Sequence, residues 1–225
     1  MTNELLFIGQ TIFIGTTLLI ALRLGKEALT AVIAAQVVLA NLFVLKQISL
    51  LGMNATAADA YAVGCMLGLN LLQEYYNKEA ARSAVWISFF ISIVFAISAQ
   101  LHLLYIPFIS DITQDAYLTI LGATPRIVAA SLCTYLLVQQ FDMQFYGFLK
   151  RKMSGRFYLF RNYSSVALSQ LLDTILFSFL GLYGIVSHIG QIIIVSYTIK
   201  ILILLLSSPF LMLARKIMLF SDRQK

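Results

Sequence analysis

Long uncharged runs dominate this chain and determine its predicted architecture. No residue is charged between Glu4 and Arg23 or between Glu27 and Lys46, and another uncharged run fills residues 83–110. A helix of about 20 residues crosses the hydrocarbon core of a bilayer, whereas a barrel strand needs only about ten residues and alternates. The pattern therefore predicts about seven transmembrane helices, near residues 5–22, 28–46, 56–75, 84–106, 119–149, 163–182 and 190–213.

The composition agrees with a chain that is dissolved in lipid. Of its 225 residues, 60% are hydrophobic and only 12% are charged, whereas soluble domains are about a quarter charged. We therefore expect an all-α integral membrane protein, with residues 1–225 forming a single transmembrane domain. The first apolar run is expected to be a retained helix and not a signal peptide, because Glu4 is the only charge before it and a basic segment is missing.

Basic residues follow every second predicted helix, which predicts the orientation of the chain. They form four groups: Arg23 and Lys26; Lys78 and Arg82; Lys150, Arg151, Lys152, Arg156 and Arg161; and Arg215, Lys216, Arg223 and Lys225. The opposite side holds Glu4, Asp111 and Asp115. Positive charge is typical of cytoplasmic loops, so we expect the N-terminus outside and the C-terminus in the cytoplasm of a bacterial plasma membrane. This distribution explains the net charge of +6 without a nucleic-acid partner.

Catalytic and metal-binding motifs are missing from the sequence. There is no phosphate-binding G-x-x-x-x-G-K-[ST] run, no H-E-x-x-H, no G-x-S-x-G and no Cys/His cluster. Cys65 and Cys133 fall inside predicted helices, and His102 and His188 fall near helix ends. We therefore expect a protein that is not an enzyme and that needs no cofactor.

Polar residues inside the predicted helices align on single faces. A charged side chain at the middle of a bilayer costs about 3 kcal/mol on insertion scales, so such residues face protein or water. At 100° per residue the polar stripes are Ser131, Tyr135, Gln139, Asp142 and Tyr146 in helix five; Asn162, Ser169, Gln170 and Asp173 in helix six; Asp59, Asn70, Gln73 and Glu74 in helix three; and Ser196, Tyr197, Lys200 and Ser207 in helix seven.

These stripes have two readings. They could hold the helices together by hydrogen bonds, with Lys200 neutralising Asp142 or Asp173; for Ser131, Ser169 and Ser207 we favour this reading. For Asp142, Asp173, Lys200 and Glu74 we favour a polar chamber that binds a ligand. Carboxylates and amides beside tyrosines suit a planar, neutral or cationic molecule with paired N–H donors.

Several short stretches together resemble the VUT family of queuosine-precursor transporters, from about Asn41 to Pro209. They are Asn41 followed by Lys46; Asn70-Leu-Leu-Gln73-Glu74-Tyr-Tyr76-Asn-Lys78; Gly122-Ala-Thr-Pro125-Arg126 with Ser131; Gln139-Gln-Phe-Asp142; Arg161-Asn162; Ser169-Gln170-Leu-Leu-Asp173-Thr174; and Tyr197-Thr-Ile-Lys200. Asn70 and Gln73 stand where the family often has Asp and Asn, and Asn77 replaces a Gly. The family usually has six helices, so residues 1–26 would form an additional N-terminal helix.

The resemblance implies a carrier that imports queuine or a related 7-deazaguanine for tRNA modification. In that reading Asp142 and Asp173 bind the guanine-like edge, and Gln139 and Gln170 bind its carbonyl and ring nitrogens. Lys200 balances the charge of the carboxylates or opens and closes with the substrate. Arg126 would pair with Asp59 at the entry. The remaining candidate substrate-binding residues are Asn41, Asn70, Gln73, Glu74, Tyr135, Asn162 and Tyr197.

The sequence leaves open two alternative functions and the assembly state. The chain could carry another purine-like base or a vitamin, or it could be a membrane-embedded assembly protein whose polar core is structural. It could work alone, as a homodimer, or with energising partner subunits.

Overall fold

The computed structural model describes residues 2–44, 46–50, 52–122, 125–153, 156–183, 189–206, 209–210 and 212–214. The helices are α1 (Asn3–Leu24), α2 (Lys26–Phe43), α3 (Asp59–Tyr75), α4 (Lys78–Leu103), α5 (Gln114–Leu121), α6 (Pro125–Lys152), α7 (Tyr158–Phe177) and α8 (Ile189–Leu206). A π-helical turn, Ser178–Leu182, continues α7, and two short strands, β1 (Gln47–Leu50) and β2 (Met53–Thr56), lie between α2 and α3. The chain is an all-α membrane bundle, as the hydropathy pattern predicts.

Four of the described helices are long and apolar enough to cross a membrane. They are Asn3–Leu24, Lys26–Phe43, Lys78–Leu103 and the continuous segment Tyr158–Gly181, and Ile193–Leu206 is a shorter apolar helix. Helix α3 has 17 residues, and α6 carries the polar stripe that the sequence indicates. The chain is therefore a multi-pass membrane protein whose inner helices are more polar than its outer ones.

Helix α3 lies at the centre of the bundle. Thirteen of its residues are buried, and it packs against α1, α2, α4, α6, α7 and α8. A Cβ atom at Gly64 would lie 2.6 Å from both Gln36 Oε1 and Ile14 Cγ2, and one at Gly68 would lie 2.8 Å from Ile33. Small residues four positions apart allow neighbouring helices to approach closely in membranes. These two glycines therefore let α1 and α2 pack directly on α3.

The predicted helix 119–149 is wrong as a single helix. The short helix α5 ends at Leu121, and α6 begins at Pro125; residues 123 and 124 lie outside the described part. Proline suits the first turn of a helix, where its missing N–H would have no partner, and it disfavours the α conformation of the residue before it. Gly122 and Pro125 therefore separate α5, which packs on α4, from the long helix α6.

A β-hairpin lies between the predicted helices 28–46 and 56–75. Both helices are shorter on that side than predicted, since α2 ends at Phe43 and α3 begins at Asp59. Strands β1 and β2 pair antiparallel, with Leu50 opposite Met53. Gly52 has a φ of +76°, a conformation that glycine adopts without steric cost. The hairpin lies beside the start of α1, because the Asn3 side chain donates to the Ser49 carbonyl at 3.0 Å.

Helices α4 and α7 begin earlier than predicted, at Lys78 and Tyr158 instead of 84 and 163. The Asn77 side chain caps α4 by accepting from the Ala80 amide at 2.7 Å. The early start of α7 brings Arg161, which the sequence places in a loop, into the bundle, where it is fully buried.

Contacts between helix ends show which ends share a face of the bundle. The Tyr76 hydroxyl, after α3, donates to the Leu22 carbonyl at the end of α1 at 3.2 Å. The Lys150 ammonium, at the end of α6, donates to the Glu74 carbonyl at 3.1 Å. The ends of α1, α3 and α6 therefore meet at one face, where the basic groups from Arg23 to Lys152 lie.

Candidate functional site

Buried polar side chains gather where α3, α6 and α7 pack against one another. This set, the polar junction, consists of Asn70 and Gln73 from α3, Gln139 and Asp142 from α6, and Asn162, Ser165, Ser169 and Gln170 from α7, all of them buried. Residues three or four apart lie on one helix face, so each helix brings its polar stripe to the same place. The structure thus brings together most of the candidates from predicted helices three, five and six.

Asp142 is the carboxylate of the polar junction, and only half of it is engaged by the protein. The residue is 1% exposed. Its Oδ1 accepts hydrogen bonds from the Ser165 hydroxyl at 2.6 Å and the Ser169 hydroxyl at 2.7 Å. Its Oδ2 is buried and has no hydrogen-bond partner among the described residues, none of which forms an ion pair with Asp142. One carboxylate oxygen is therefore left to accept from another molecule.

The amides of the junction are also incompletely paired. In the described part of the chain, no partner reaches Oε1 of Gln139, Oε1 of Gln170, or either polar side-chain atom of Asn70 and Asn162. The Gln170 amide nitrogen contacts only a thioether, Met66 Sδ, at 3.2 Å. A buried polar atom without a partner costs about 1–3 kcal/mol, and native structures contain few of them. So many of them in one place indicate a binding site.

Asp173 and Lys200 form an ion pair between α7 and α8. The Lys200 ammonium lies 2.6 Å from Asp173 Oδ2 and 3.3 Å from the Thr174 hydroxyl. The Lys200 side chain is 6% exposed and that of Asp173 is 22% exposed. Of the two carboxylates that the sequence offers to Lys200, the structure pairs it with Asp173. The two carboxylates therefore differ: Asp173 is paired with Lys200, whereas no cation of the described residues pairs with Asp142.

A second ionic group lies at the basic face, where the Glu74 carboxylate is paired with two cations. Arg161 contacts Glu74 with both terminal nitrogens, at 3.2 and 3.0 Å. Glu74 also accepts from the Tyr146 hydroxyl at 2.8 Å and lies 3.2 Å from the Lys150 ammonium. The rings of Tyr146 and Tyr158 lie 5.6 and 6.0 Å from the guanidinium carbon. We call these five residues the Glu74 cluster.

Arg161 is not among the candidate site residues that the sequence predicts, and neither are Lys150 and Tyr158. The predicted start of helix six at residue 163 places Arg161 in a cytoplasmic loop. A guanidinium with 0% exposure is tolerated inside a bundle only if a carboxylate compensates it, and Glu74 does so. Glu74, in the polar stripe of predicted helix three, is the feature of the sequence that indicates a buried cation nearby.

The remaining candidates lie around these groups or outside the described part. The Ser131 hydroxyl donates to Asn41 Oδ1 at 2.6 Å, which joins α6 to α2. Gln73 donates to the Met143 carbonyl at 3.1 Å. Tyr135 and Tyr197 are half-buried on α6 and α8. The side chain of Arg126, and with it the expected pair with Asp59, lies outside the described residues, as do Ser207 and His188.

The polar junction offers hydrogen-bond acceptors and donors on three helices that pack closely. Among the described residues, no group of three His, Cys, Asp or Glu side chains could hold a metal ion. The arrangement suits a small ligand that brings its own N–H donors.

Comparisons with known proteins agree with a transporter. Residues 55–214 match the family described as "Putative vitamin uptake transporter". The chain is also 34% identical over 203 residues to a protein of Bacillus subtilis (strain 168) named "Probable queuosine precursor transporter", covering 88% of each chain. No solved structure matches the chain. The expectations of a transporter, of a small-molecule substrate and of a protein that is not an enzyme are confirmed by these similarities.

Proposed function

The chain belongs to the vitamin uptake transporter family, and on that premise we propose that it imports a queuosine precursor, either queuine or a related 7-deazaguanine. The ligand binds at the polar junction between α3, α6 and α7. The name of the Bacillus subtilis relative supports this substrate class, and so does the pattern of residues that resembles the VUT family.

The observation that carries the proposal is the set of buried polar atoms without a protein partner. Asp142 Oδ2, Gln139 Oε1 and Gln170 Oε1 are acceptors, and the side-chain amides of Asn70 and Asn162 can both donate and accept. A guanine-like edge presents two adjacent N–H donors and one carbonyl acceptor. Such an edge would satisfy the excess of acceptors in the junction, because a carboxylate oxygen accepts strongly from N–H groups.

The orientation that we propose places the basic face in the cytoplasm. Arg23, Lys78 and Lys150 lie at the helix ends that meet there, and cytoplasmic loops of membrane proteins are rich in Lys and Arg. The hairpin and α5 then face the outside of a bacterial plasma membrane, as does the N-terminus. Reporter fusions after Arg156 and after Lys225 should read as cytoplasmic and one at Ser110 as external. A cytoplasmic signal at Ser110 would overturn this orientation.

We propose one transporter domain over residues 1–225. Helix α1 packs against α2, α3 and α8, although the family match begins only at residue 55. The chain works alone, as a homodimer or with energising partner subunits. Its apparent mass in detergent, measured with and without crosslinking in the native membrane, separates these three assemblies.

The proposed function is tested in a bacterium that can neither make nor import the precursor. Cells that express this chain are supplied with queuine, 7-cyano-7-deazaguanine or 7-aminomethyl-7-deazaguanine at low concentration, and queuosine in tRNA is measured. We expect modification with at least one of them, and little with the Asp142→Asn variant at equal expression. If none of the three restores modification while the protein is present in the membrane, the proposed substrate is wrong.

A second candidate substrate is a vitamin, since the family description names vitamin uptake. Competition separates the two. Excess deazaguanine should block uptake of the labelled precursor, and vitamins should not. Inhibition by a vitamin at lower concentration than by any deazaguanine would favour the second candidate.

A further inference from the structure

Two serines of α7 hold the Asp142 carboxylate. Ser165 and Ser169 are fully buried and lie four residues apart on one face of α7. Both donate to the same oxygen, Asp142 Oδ1, at 2.6 and 2.7 Å. Each carboxylate oxygen has about two lone-pair sites, so the two hydroxyls fill the acceptor capacity of Oδ1 and leave Oδ2 with all of its own.

This arrangement limits how Asp142 can bind a ligand. A carboxylate with both oxygens open can accept two parallel N–H bonds as a fork. With Oδ1 occupied, Asp142 offers a single oxygen at a fixed position. The aliphatic part of the Asp142 side chain cannot rotate freely either, because the residue is 1% exposed and tied at two points to α7.

We infer that Ser165 and Ser169 are positioning residues that aim Asp142 Oδ2 at the exocyclic amino group of the substrate, and so select 2-amino-substituted deazapurines. This inference rests on the proposed function, because it concerns the same site. A ligand that lacks the 2-amino group offers one N–H donor fewer to Asp142 Oδ2. The buried carboxylate is then left with too few hydrogen bonds. Without the serines, Asp142 is free to reorient, and the penalty for the missing amino group falls.

The test compares two probes on the purified full-length protein. The probes are 7-aminomethyl-7-deazaguanine and its 2-deamino counterpart, 7-aminomethyl-7-deazahypoxanthine, and the measured quantity is the ratio of their dissociation constants. A hydrogen bond to a charged group corresponds to a preference of about 10- to 100-fold for the amino compound in the parent protein. In the Ser165→Ala/Ser169→Ala double variant we expect this ratio to fall to about threefold or less.

Controls separate positioning from a general loss of packing. Ser92→Ala removes another buried serine, whose hydroxyl donates within its own helix to the Ser88 carbonyl at 2.8 Å. It should leave the ratio unchanged. Ser169→Thr keeps the hydroxyl and should retain most of the preference. If the double variant is not recovered from membranes, the two single alanine variants decide, and each should lower the ratio at least threefold relative to the parent.

The outcomes for this inference and for the proposed function differ. If the parent protein binds neither probe and binds neither queuine nor 7-cyano-7-deazaguanine, the proposed function fails. If it binds one of those two instead, the same ratio is measured with that compound and its 2-deamino counterpart. If the parent binds both probes equally, Asp142 does not recognise the amino group and the inference is overturned. If the parent prefers the amino compound and the serine variants prefer it to the same degree, the substrate assignment stands and the positioning role is wrong.

Discussion

Glu74 is a half-buried carboxylate at the basic face, and Asp142 is a buried carboxylate of the polar junction. Their surroundings differ in kind. Glu74 receives a bidentate guanidinium from Arg161, a hydroxyl from Tyr146 and an ammonium from Lys150. One oxygen of Asp142 accepts from two serine hydroxyls. Among the described residues, the other oxygen has no hydrogen-bond partner, and no cation pairs with the carboxylate.

This difference in partners distinguishes a carboxylate that stabilises the fold from one that is available to a ligand. A charge removed from water is tolerated when the protein supplies its partners, and breaking such a pair is costly because a charge is left uncompensated. Where the protein supplies only some partners, the remaining polar atoms lack hydrogen bonds, and a ligand can provide them. By this reasoning the Glu74 cluster stabilises the bundle, and we propose that the polar junction is less stable because it binds a ligand.

The largest effect is expected for Arg161→Leu. This change leaves Glu74 without its bidentate partner. We expect a cost of about 3 kcal/mol, the lower end of the range for breaking a buried ion pair, because Lys150 still lies 3.2 Å from Glu74. Thermal unfolding in detergent should show a large loss of stability, with reduced expression. The Glu74→Met/Arg161→Leu double variant should recover part of it. Unchanged unfolding of Arg161→Leu would show that the Glu74 cluster is not structural.

Lys200→Ala should have the next largest effect, about 2 kcal/mol, because it leaves Asp173 without a charged hydrogen-bond donor while a fifth of that side chain remains exposed to solvent. The matched control is Lys26→Ala, since Lys26 pairs with Glu27 on the surface, with side chains 58% and 80% exposed. That variant should change stability by less than about 0.5 kcal/mol. Equal unfolding temperatures for both variants would show that the Asp173–Lys200 pair does not stabilise the bundle.

Gln139→Met should separate stability from binding. Methionine has a similar volume and removes a buried oxygen that has no partner among the described residues. Stability should therefore stay the same or rise by about 1 kcal/mol, while precursor uptake falls. Unfolding and uptake are measured on the same preparation. A clear loss of stability would mean that Gln139 is already satisfied within the protein.

The smallest effect is expected for Gly147→Ala, at the boundary of the two regions. A Cβ atom there would lie 2.8 Å from Gln73 Nε2, which donates to the Met143 carbonyl at 3.1 Å. The Gln73 side chain can shift at the cost of that bond, about 1 kcal/mol. Gly9→Ala is the control, because nothing lies within 4 Å of its added methyl group. A loss of several kcal/mol at Gly147 would show that α3 and α6 cannot adjust.

The sequence predicts the bundle and its polar faces better than the boundaries of the helices. Uncharged runs mark the spans, because lipid excludes charge, and the periodicity of Gln139, Asp142 and Tyr146 indicates one face of α6. The break before Pro125 and the hairpin around Gly52 are local backbone events, so hydropathy does not reveal them. Arg161 was misplaced because its burial depends on Glu74, 87 residues away along the chain.

The site was predictable only as a set of residue types. The sequence offered Asp142 and Asp173 as equivalent carboxylates, each with a glutamine three residues before it. Only packing shows that Lys200 pairs with Asp173 and that Ser165 and Ser169 hold Asp142. Pairing between helices is a property of the folded bundle, and a periodicity along one helix does not contain it.

We propose that Asp142 belongs to a binding site and not to the scaffold of the bundle. To test this, 7-aminomethyl-7-deazaguanine, queuine and 7-cyano-7-deazaguanine are titrated into the purified parent protein and the Asp142→Asn variant, and unfolding temperatures are measured alongside. We expect saturable binding by the parent, binding weaker by about 10- to 150-fold in the variant, and nearly equal unfolding temperatures. No binding of any of the three compounds by the folded parent protein, or equal affinity in Asp142→Asn, would contradict the account.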